Sequence, residues 1–324
     1  MHFSARTVGL ASAAVTVLIW TSFIVIARAS ASHTLLPLDI ALMRILGASV
    51  VLLPWAWWRM RAERARGTTV GSLLGLSPLP LRTTLVAGFF GGLLYAVLAY
   101  AGFFFAPAAH ASVLMPGSLP LWTALLAMAF LHEKVPTTRA LGLGCIVLGD
   151  LLVGGASLLR ALDGGDVWKG DLLFMSAASC WAAYTVIARR YGLDAVRATQ
   201  AITACAFVFY VPAFVLATGL GGWPTHIGQA PWGELLFQAA FQGGGSVVIS
   251  GITFTQMVRH FGPVRSTMIT ALVPGLSALG AVALLGEPMH WNLLTGLALV
   301  TGGILLGVIV KPRAKTAGTA EAAR

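Results

Sequence analysis

The side chains best suited to binding a polar ligand follow one another along a single apolar stretch. Gln238, Gln242, Ser246, Ser250 and Thr253 succeed each other every three or four residues, a spacing that places them on one face of an α-helix. Amides and hydroxyls on an apolar helix either hold neighbouring helices together or contact a ligand. Both alternatives stay open, and Gln238, Gln242 and Ser246 are candidate substrate-binding residues.

Aromatic residues supply a second set of candidate binding groups. Trp20 and Trp181 lie in the middle of apolar stretches, Tyr184 follows Trp181 by one helical turn, and Tyr95 and Tyr100 share another stretch. Such rings stack on apolar ligands while their polar tips form hydrogen bonds. The alternatives are packing between helices and, for Tyr95 and Tyr100, anchoring at a membrane interface. All five are candidate walls of a substrate site.

The sequence does not favour enzymatic chemistry. His132-Glu133 begins like the zinc-binding motif H-E-x-x-H, but Val135 and Pro136 follow and the second histidine is missing. The three cysteines are isolated from one another, without the spacing of a metal or redox pair: Cys145, Cys180 and Cys205. No catalytic residue, metal site or cofactor is therefore predicted, and a membrane enzyme is a remote alternative.

Two ionisable residues, Arg44 and Asp150, lie deep in apolar stretches, where an unpaired charge is costly. We expect Arg44 to pair with Asp150 or with Asp39. Attraction of a substrate carboxylate and proton coupling are the alternatives. Glu133 and Glu287 lie at the ends of apolar stretches, where we expect them to cap neighbouring helices.

Three prolines interrupt apolar stretches. Pro116 and Pro120 lie in one stretch and Pro274 in another. A proline inside a membrane helix removes a backbone hydrogen bond, which is tolerated where protein or water satisfies the freed carbonyl. Both stretches are expected to bend at these prolines, and a gating hinge and a static kink are the two interpretations.

These residues must be positioned by helices that cross a membrane. The chain is 57% hydrophobic and only 10% charged, whereas a soluble domain carries roughly 25% charged residues. Ten apolar stretches have the length that spans a bilayer, and all-α membrane architecture follows: 7–28, 37–58, 83–105, 109–131, 139–158, 170–188, 198–218, 233–257, 264–286 and 290–310. The first stretch also resembles a secretory signal, with Ala29-Ser30-Ala31 as its cleavage site, but it is longer than a usual signal core.

The distribution of basic residues predicts the orientation. Most of the 21 Lys and Arg residues lie in alternate segments that include both termini, whereas the segments on the other side carry only Arg28, Arg160 and Lys169. By the positive-inside rule, both termini are cytoplasmic. Despite the net charge of +10, the basic clusters indicate topology and contacts with lipid headgroups. The expected surroundings are a bilayer, and no nucleic-acid partner is predicted.

The two halves of the chain repeat each other. Trp20–Arg28 reads WTSFIVIAR, and Trp181–Arg189 reads WAAYTVIAR. Further matches share one ungapped register: Pro120 with Pro274, Glu133 with Glu287, and Gly149 with Gly303. The sequence therefore predicts a first repeat over 1–158, a second repeat over 170–310 and a basic cytoplasmic tail over 311–324. Because each repeat holds five spans, the second enters the membrane from the opposite side, and the repeats are inverted.

These motifs resemble those of the EamA-type transporters of the drug/metabolite transporter superfamily. The resemblance rests on Trp20–Arg28, on Arg44, and on the two segments 120–133 and 274–287, each running from a proline to a glutamate. It implies a ten-helix carrier of the bacterial inner membrane that exports amino acids, other metabolites or toxic organic compounds. It also implies a central cavity lined by helices 1, 3, 4, 6, 8 and 9. The Arg-rich loop 59–82 has no counterpart in the second repeat.

The predicted function is secondary transport by alternating access, since inverted repeats are typical of that mechanism. Aromatic walls and few buried charges favour a small amphipathic substrate, such as an amino acid with an apolar or aromatic side chain. Export of cationic drugs is the alternative, because aromatic walls also hold organic cations. A channel is a remote alternative. Coupling to protons and assembly as a monomer or a homodimer stay open.

Overall fold

The structure is a computed structural model that describes residues 5–67, 71–132, 135–160, 165–270 and 272–309. The structure is 84% helical, and the described residues contain no strand. A lone bridge between Ser72 and Ser77 closes a tight loop after the second helix. The predicted basic tail 311–324 and Glu133 lie outside the described residues.

The described residues form a series of helical runs that correspond closely to the predicted apolar stretches. The runs are α1 (Ala5–Ser30), α2 (Pro37–Ala65), α3 (Leu81–Phe105), α4 (Ala108–Leu131), α5 (Thr137–Arg160), α6 (Val167–Arg190), α7 (Ala195–Gly219), α8 (232–270), α9 (Leu272–Leu285) and α10 (Trp291–Ile309). Within the described residues, eight helices are long and apolar enough to cross a membrane, and α9 and α10 supply two shorter apolar segments. Ten spans therefore stay a prediction.

Three of the runs change their hydrogen-bond pattern within the apolar stretch. Phe89–Leu94 in α3, Val113–Gly117 in α4 and Ala239–Ile249 in α8 are π-helical. Such segments are rare and frequently mark functional sites. Hydropathy could not predict them, because it does not distinguish hydrogen bonds to the fourth residue from bonds to the fifth.

The predicted boundary between the eighth and ninth spans does not coincide with a break in the helix. The sequence placed this connection between 257 and 264, whereas helical backbone continues over Gly262 and Pro263 to Thr270. Residue 271 lies outside the described residues, and α9 begins at Leu272. The predicted end of the eighth span at residue 257 is therefore wrong by several residues.

Glycines allow α5 and α10, the last helices of the two predicted repeats, to pack closely. A Cβ at Gly149 would lie 2.6 Å from the carbonyl oxygen of Gly296, and a Cβ at Gly303 would lie 2.4 Å from that of Gly142. Small residues at such contacts let helix backbones approach within a membrane. This pair of helices lies outside the central cavity described below and buttresses it.

Candidate functional site

A central cavity of about 700 Å³ lies between the helices of both repeats, within the size range of small-molecule sites. Its walls come from α1, α2, α3, α4, α6, α7, α8 and α9. This set contains the six helices that the family resemblance implies, and it adds α2 and α7. The walls are mostly aromatic and aliphatic, and the charged residues among them are Arg44, Arg189 and Asp194.

Aromatic rings form two opposite walls of the central cavity. On one side Trp20 stacks on Phe254 at a centroid distance of 5.2 Å and an interplanar angle of 24°. On the other side Trp181 contacts Tyr95 at 5.1 Å and Tyr184 at 5.2 Å. Such contacts hold each ring in place, so the walls are preformed. The four aromatic residues predicted from the sequence to line the site, other than Tyr100, border this cavity.

Arg44 brings a positive charge to the wall of the central cavity. Its Nη1 donates a hydrogen bond of 3.0 Å to Ser246 Oγ and one of 3.5 Å to the carbonyl oxygen of Gln242. Its guanidinium carbon lies 5.7 Å from the centre of the Phe23 ring and 6.0 Å from that of Tyr95. These neutral contacts orient the guanidinium but do not neutralise its charge, so it can attract an anionic group.

The expected ion pair of Arg44 with Asp39 or Asp150 does not form. Asp39 is fully buried, and its carboxylate accepts hydrogen bonds from Leu36 N, Thr225 Oγ1 and His226 N. It therefore caps α2 and fixes the α7–α8 connection. Asp150 lies on α5 and borders a different cavity. The positions of Arg44 and Asp150 within apolar stretches indicated buried charges. Those positions could not show which helices face each other.

Close contact between α2 and α8 explains how Arg44 reaches Ser246. A Cβ at Gly243 would lie 2.6 Å from Gly47 Cα and 2.5 Å from Ala48 N. Gly47 in turn tolerates no Cβ, because that atom would lie 1.9 Å from Ala239 O. The two backbones touch one helical turn away from Arg44, and any side chain at either glycine would separate them.

The two candidate glutamines and Tyr100 form bonds between helices and do not border the central cavity. Tyr100 donates a hydrogen bond of 3.0 Å to Gln242 Oε1, and Gln238 Nε2 donates one of 2.6 Å to Ser30 Oγ. All three candidates are almost fully buried. Of the predicted polar stripe, Ser246 and Ser250 border the cavity. The structure thus places the glutamines where the packing alternative expected them.

The three candidate hinge prolines take different positions. Pro116 lies in the π-helical segment of α4 and borders the central cavity. Pro120 is the second residue of the α-helical segment that follows Ser118, and Pro274 is the third residue of α9. A proline in the first turn of a helix loses no helical hydrogen bond. Pro120 therefore lies in the first turn of its α-helical segment, and Pro274 lies near the described start of α9. Pro116 lies at the change of helical geometry.

The central cavity reaches the surface at only one described end of the bundle. Its lining includes Arg189 in the last turn of α6, and Gly192 and Asp194 on the connection from α6 to α7. All three residues are exposed. We call this the Arg189 end. The opposite end, where α1 finishes and α4 begins, is called the Glu287 end.

Glu287 holds the Glu287 end together. Its two carboxylate oxygens accept hydrogen bonds of 3.0 Å from Ala108 N and Ala109 N, the first residues of α4. Its Oε1 also lies 3.4 Å from Arg28 Nε, and Arg28 donates a bond of 2.7 Å to Phe103 O. The prediction that Glu287 caps a neighbouring helix is confirmed. One carboxylate thereby joins the ends of α1, α3, α4 and α9.

Sequence reasoning missed two aromatic residues of the central cavity. Phe254 continues the polar stripe of α8 one turn beyond Ser250, and Phe23 follows Trp20 by three residues on α1. Both lie at helical spacing from residues that were predicted to face inwards. The available signal was an apolar residue on an inward face. Such a residue can line a cavity or pack in the core, and only the positions of the neighbouring helices distinguish the two.

Asp150 borders a second cavity of about 180 Å³, which we call the side cavity. It lies between α4, α5 and α6. Asp150 is 6% exposed, and neither of its carboxylate oxygens has a hydrogen-bond partner among the described residues. Asp171 borders the same cavity, and its Oδ1 lies 2.8 Å from His110 Nδ1.

Comparisons with known proteins agree with this architecture. The model of the EamA-like transporter family matches the chain twice, over residues 7–155 and 168–309. The chain is similar to the uncharacterized transporter YyaM of Bacillus subtilis (strain 168), with 25% identity over 236 residues, which are 71% of this chain and 74% of that protein. The chain is also similar to one solved crystal structure, with a TM-score of 0.56 and 21% identity. The match covers 95% of this chain and 98% of the chain in that structure, and it shows a shared fold.

Proposed function

Since this chain belongs to the EamA-like transporter family, we propose that it carries a small amphipathic solute through the central cavity by alternating access. Its helices and its family identify it as a multi-pass membrane protein and a transporter. The proposed solute is an amino acid with an apolar or aromatic side chain, and the proposed direction is export across a bacterial inner membrane.

The position of Arg44 supports this choice of substrate. A free guanidinium charge borders a cavity whose walls carry Trp20, Tyr95, Trp181 and Phe254. The charge attracts a carboxylate, and the rings hold an apolar or aromatic side chain. The only acidic residue that borders the described cavity is Asp194, at the exposed Arg189 end. A cationic drug in this cavity would be repelled by the charge of Arg44.

The two ends of the bundle support alternating access. In the present state the central cavity reaches the Arg189 end, while Glu287 and Arg28 join four helices at the opposite end. Release of the Glu287 contacts would open the second side of the same cavity. On the proposed inverted arrangement the Arg189 end is cytoplasmic, as the basic segments predict, and the termini share that compartment.

Counterflow in liposomes tests the substrate class. Purified protein is reconstituted into vesicles preloaded with one unlabelled compound, and the entry of external labelled L-phenylalanine is measured. We expect apolar and aromatic amino acids to accelerate entry and cationic dyes to have no effect. Acceleration by dyes alone would favour the drug-exporter alternative.

The same experiment separates a carrier from a channel. A carrier exchanges solutes one at a time, so a preloaded substrate drives transient accumulation of label above equilibrium. A channel equilibrates the label without such accumulation. Equilibration without overshoot for every compound would contradict alternating access.

A further inference from the structure

The side cavity contains an acidic group that the transport of an amino acid through the central cavity does not use. Asp150 is 94% buried, judged from its 6% exposure, and both of its carboxylate oxygens lack a hydrogen-bond partner among the described residues. The remaining wall residues are almost all apolar, apart from Asp171. An ionised carboxylate in such surroundings would lack both water and a counter-ion.

A second carboxylate, Asp171 of α6, approaches the face of α5 that carries Asp150. Gly154 follows Asp150 by one helical turn, and the position of a Cβ at Gly154 lies 3.8 Å from Asp171 Oδ2. His110 holds the other oxygen of Asp171 at 2.8 Å. Asp150 and Asp171 therefore border one small cavity, and the His110 imidazole contacts Asp171. Each of these three groups can gain or lose a proton.

Among the described residues, α6 and α4 bring ionisable side chains to this cluster. From α6 it receives Asp171, and from the described part of α4 it receives His110, the only ionisable residue there. The helix α10, which packs along α5, has no ionisable side chain between Trp291 and Ile309. Lys169 of α6 instead lies 2.6 Å from Asp166.

The side cavity and the central cavity share one wall. In the π-helical segment of α4, Leu114 borders the side cavity, whereas Met115 and Pro116 border the central cavity. The same α4 begins at Ala108 and Ala109, whose amides are held by Glu287. A change at His110 or in the side cavity therefore acts on the helix that closes the Glu287 end.

We propose that Asp150, with the Asp171–His110 pair, forms a proton-binding site in the side cavity, and that proton binding there favours closure of the Glu287 end. The chemical step is the addition of one proton to the Asp150 carboxylate, which yields a neutral carboxylic acid. The neutral acid fits the apolar cavity of the present state. Loss of the proton creates a charge that is stable only when α4 moves and admits water. The coupling to transport rests on the proposed carrier function, but the proton site does not.

Carbodiimide labelling tests the proton site without any substrate. Dicyclohexylcarbodiimide reacts with protonated carboxyl groups in apolar surroundings, and the modified peptide is identified by mass spectrometry of the full protein in lipid nanodiscs. We expect strong labelling of Asp150 at acidic pH that declines at alkaline pH. Asp166, whose side chain is 62% exposed, is the internal control. Labelling of Asp150 that never exceeds that of Asp166 would overturn the proposal.

A pH gradient tests the coupling. Uptake of labelled L-phenylalanine into liposomes is measured with and without an imposed gradient, and the ratio of the two rates is compared between variants. We expect the wild-type protein to respond and the ratio to fall to one in D150N, while D166N keeps the wild-type ratio. A wild-type protein that ignores the gradient, or a D150N variant that responds as the wild type does, would overturn the coupling. Absence of phenylalanine counterflow would instead contradict the proposed substrate, and the labelling result would still decide the proton site.

Discussion

Polar side chains around the central cavity differ in what their polar atoms contact. Ser246 accepts a bond from Arg44 at the cavity wall, whereas Tyr100 and Gln242 bond to each other away from it. The first arrangement leaves a charge available to a ligand, and the second joins two helices. Cavity-wall residues and helix-joining residues have similar sequence surroundings. One substitution of each kind therefore compares their effects on substrate binding and on stability.

Replacement of Arg44 by glutamine should weaken substrate binding. The variant keeps a polar group near Ser246 but loses the charge that attracts a carboxylate, and a hydrogen bond to a charged group contributes about 1.5–3 kcal/mol. We expect the concentration for half-maximal phenylalanine uptake to rise roughly 10- to 100-fold. Arg61→Gln, at an exposed position of the same helix, is the matched control. Equal uptake by R44Q and R61Q would exclude a role of Arg44 in binding.

Replacement of Tyr100 by phenylalanine should affect stability and not binding. The change removes the bond to Gln242 Oε1 but keeps the buried ring, and a neutral buried hydrogen bond contributes about 1 kcal/mol. We expect a lower unfolding temperature of the detergent-solubilised protein and an unchanged half-maximal uptake concentration. A large change in that concentration would instead place Tyr100 in contact with the substrate.

At the residue level the sequence predicted types of side chain better than their partners. Trp20, Tyr95 and Trp181 border the cavity because polar-edged rings deep in a membrane helix rarely face lipid. The predicted ion-pair partner of Arg44 was wrong. A buried charge needs polar contacts, but its sequence position does not show which residues provide them. Ser246, a neutral hydroxyl from the other half of the chain, provides that contact.

At the level of elements, hydropathy predicted the bounds of several helices to within a few residues. The stretch predicted at 83–105 corresponds to Leu81–Phe105, and the one at 198–218 to Ala195–Gly219. The π-helical segments and the continuation of α8 to Thr270 were not predicted, because an apolar run carries no information on which carbonyl each amide selects. The assumed α-helical angle of the polar stripe therefore fails over Ala239–Ile249.

Substitution of adjacent glycines tests the contact between α2 and α8. Gly243→Ala places a methyl group against the backbone of Gly47, which we expect to separate the helices and to lower stability by about 1–3 kcal/mol. Arg44 would also lose its bond to Ser246, so uptake should fall. Gly244→Ala is the control, because no atom lies within 4 Å of its added Cβ. Thermal unfolding and uptake are measured for both. Indistinguishable variants would contradict the close contact.

For the whole molecule, the sequence repeat predicts that the two ends of the bundle alternate between open and closed. Arg28 and Glu287 occupy positions that the sequence repeat matches to Arg189 and Glu133, and the first pair closes the Glu287 end. The capping role of Glu287 followed from its place at the end of an apolar stretch. Its partners, Ala108 and Ala109, come from the other repeat, and only the assembled bundle brings them to it.

Replacement of Glu287 by glutamine should shift the molecule towards the state that is open at the Glu287 end. The variant loses the ion pair with Arg28 and one charged acceptor for the α4 amides, which together stabilise closure by about 1–2 kcal/mol. This energy corresponds to a roughly 5- to 30-fold change in the ratio of the two states.

Thiol labelling in intact cells measures that shift. A single cysteine is introduced as Ala96→Cys, at the wall of the central cavity, in a chain whose native cysteines are replaced by alanine. A charged, membrane-impermeant thiol reagent is applied from outside, where the proposed orientation places the Glu287 end. We expect faster labelling with E287Q than with the parent. E234Q is the control, because Glu234 binds Leu35 N at the same end without contacting α4. Equal rates for E287Q and E234Q would show that Glu287 does not hold the bundle closed, whereas acceleration confined to E287Q ties closure to the carboxylate that joins the two halves of the chain.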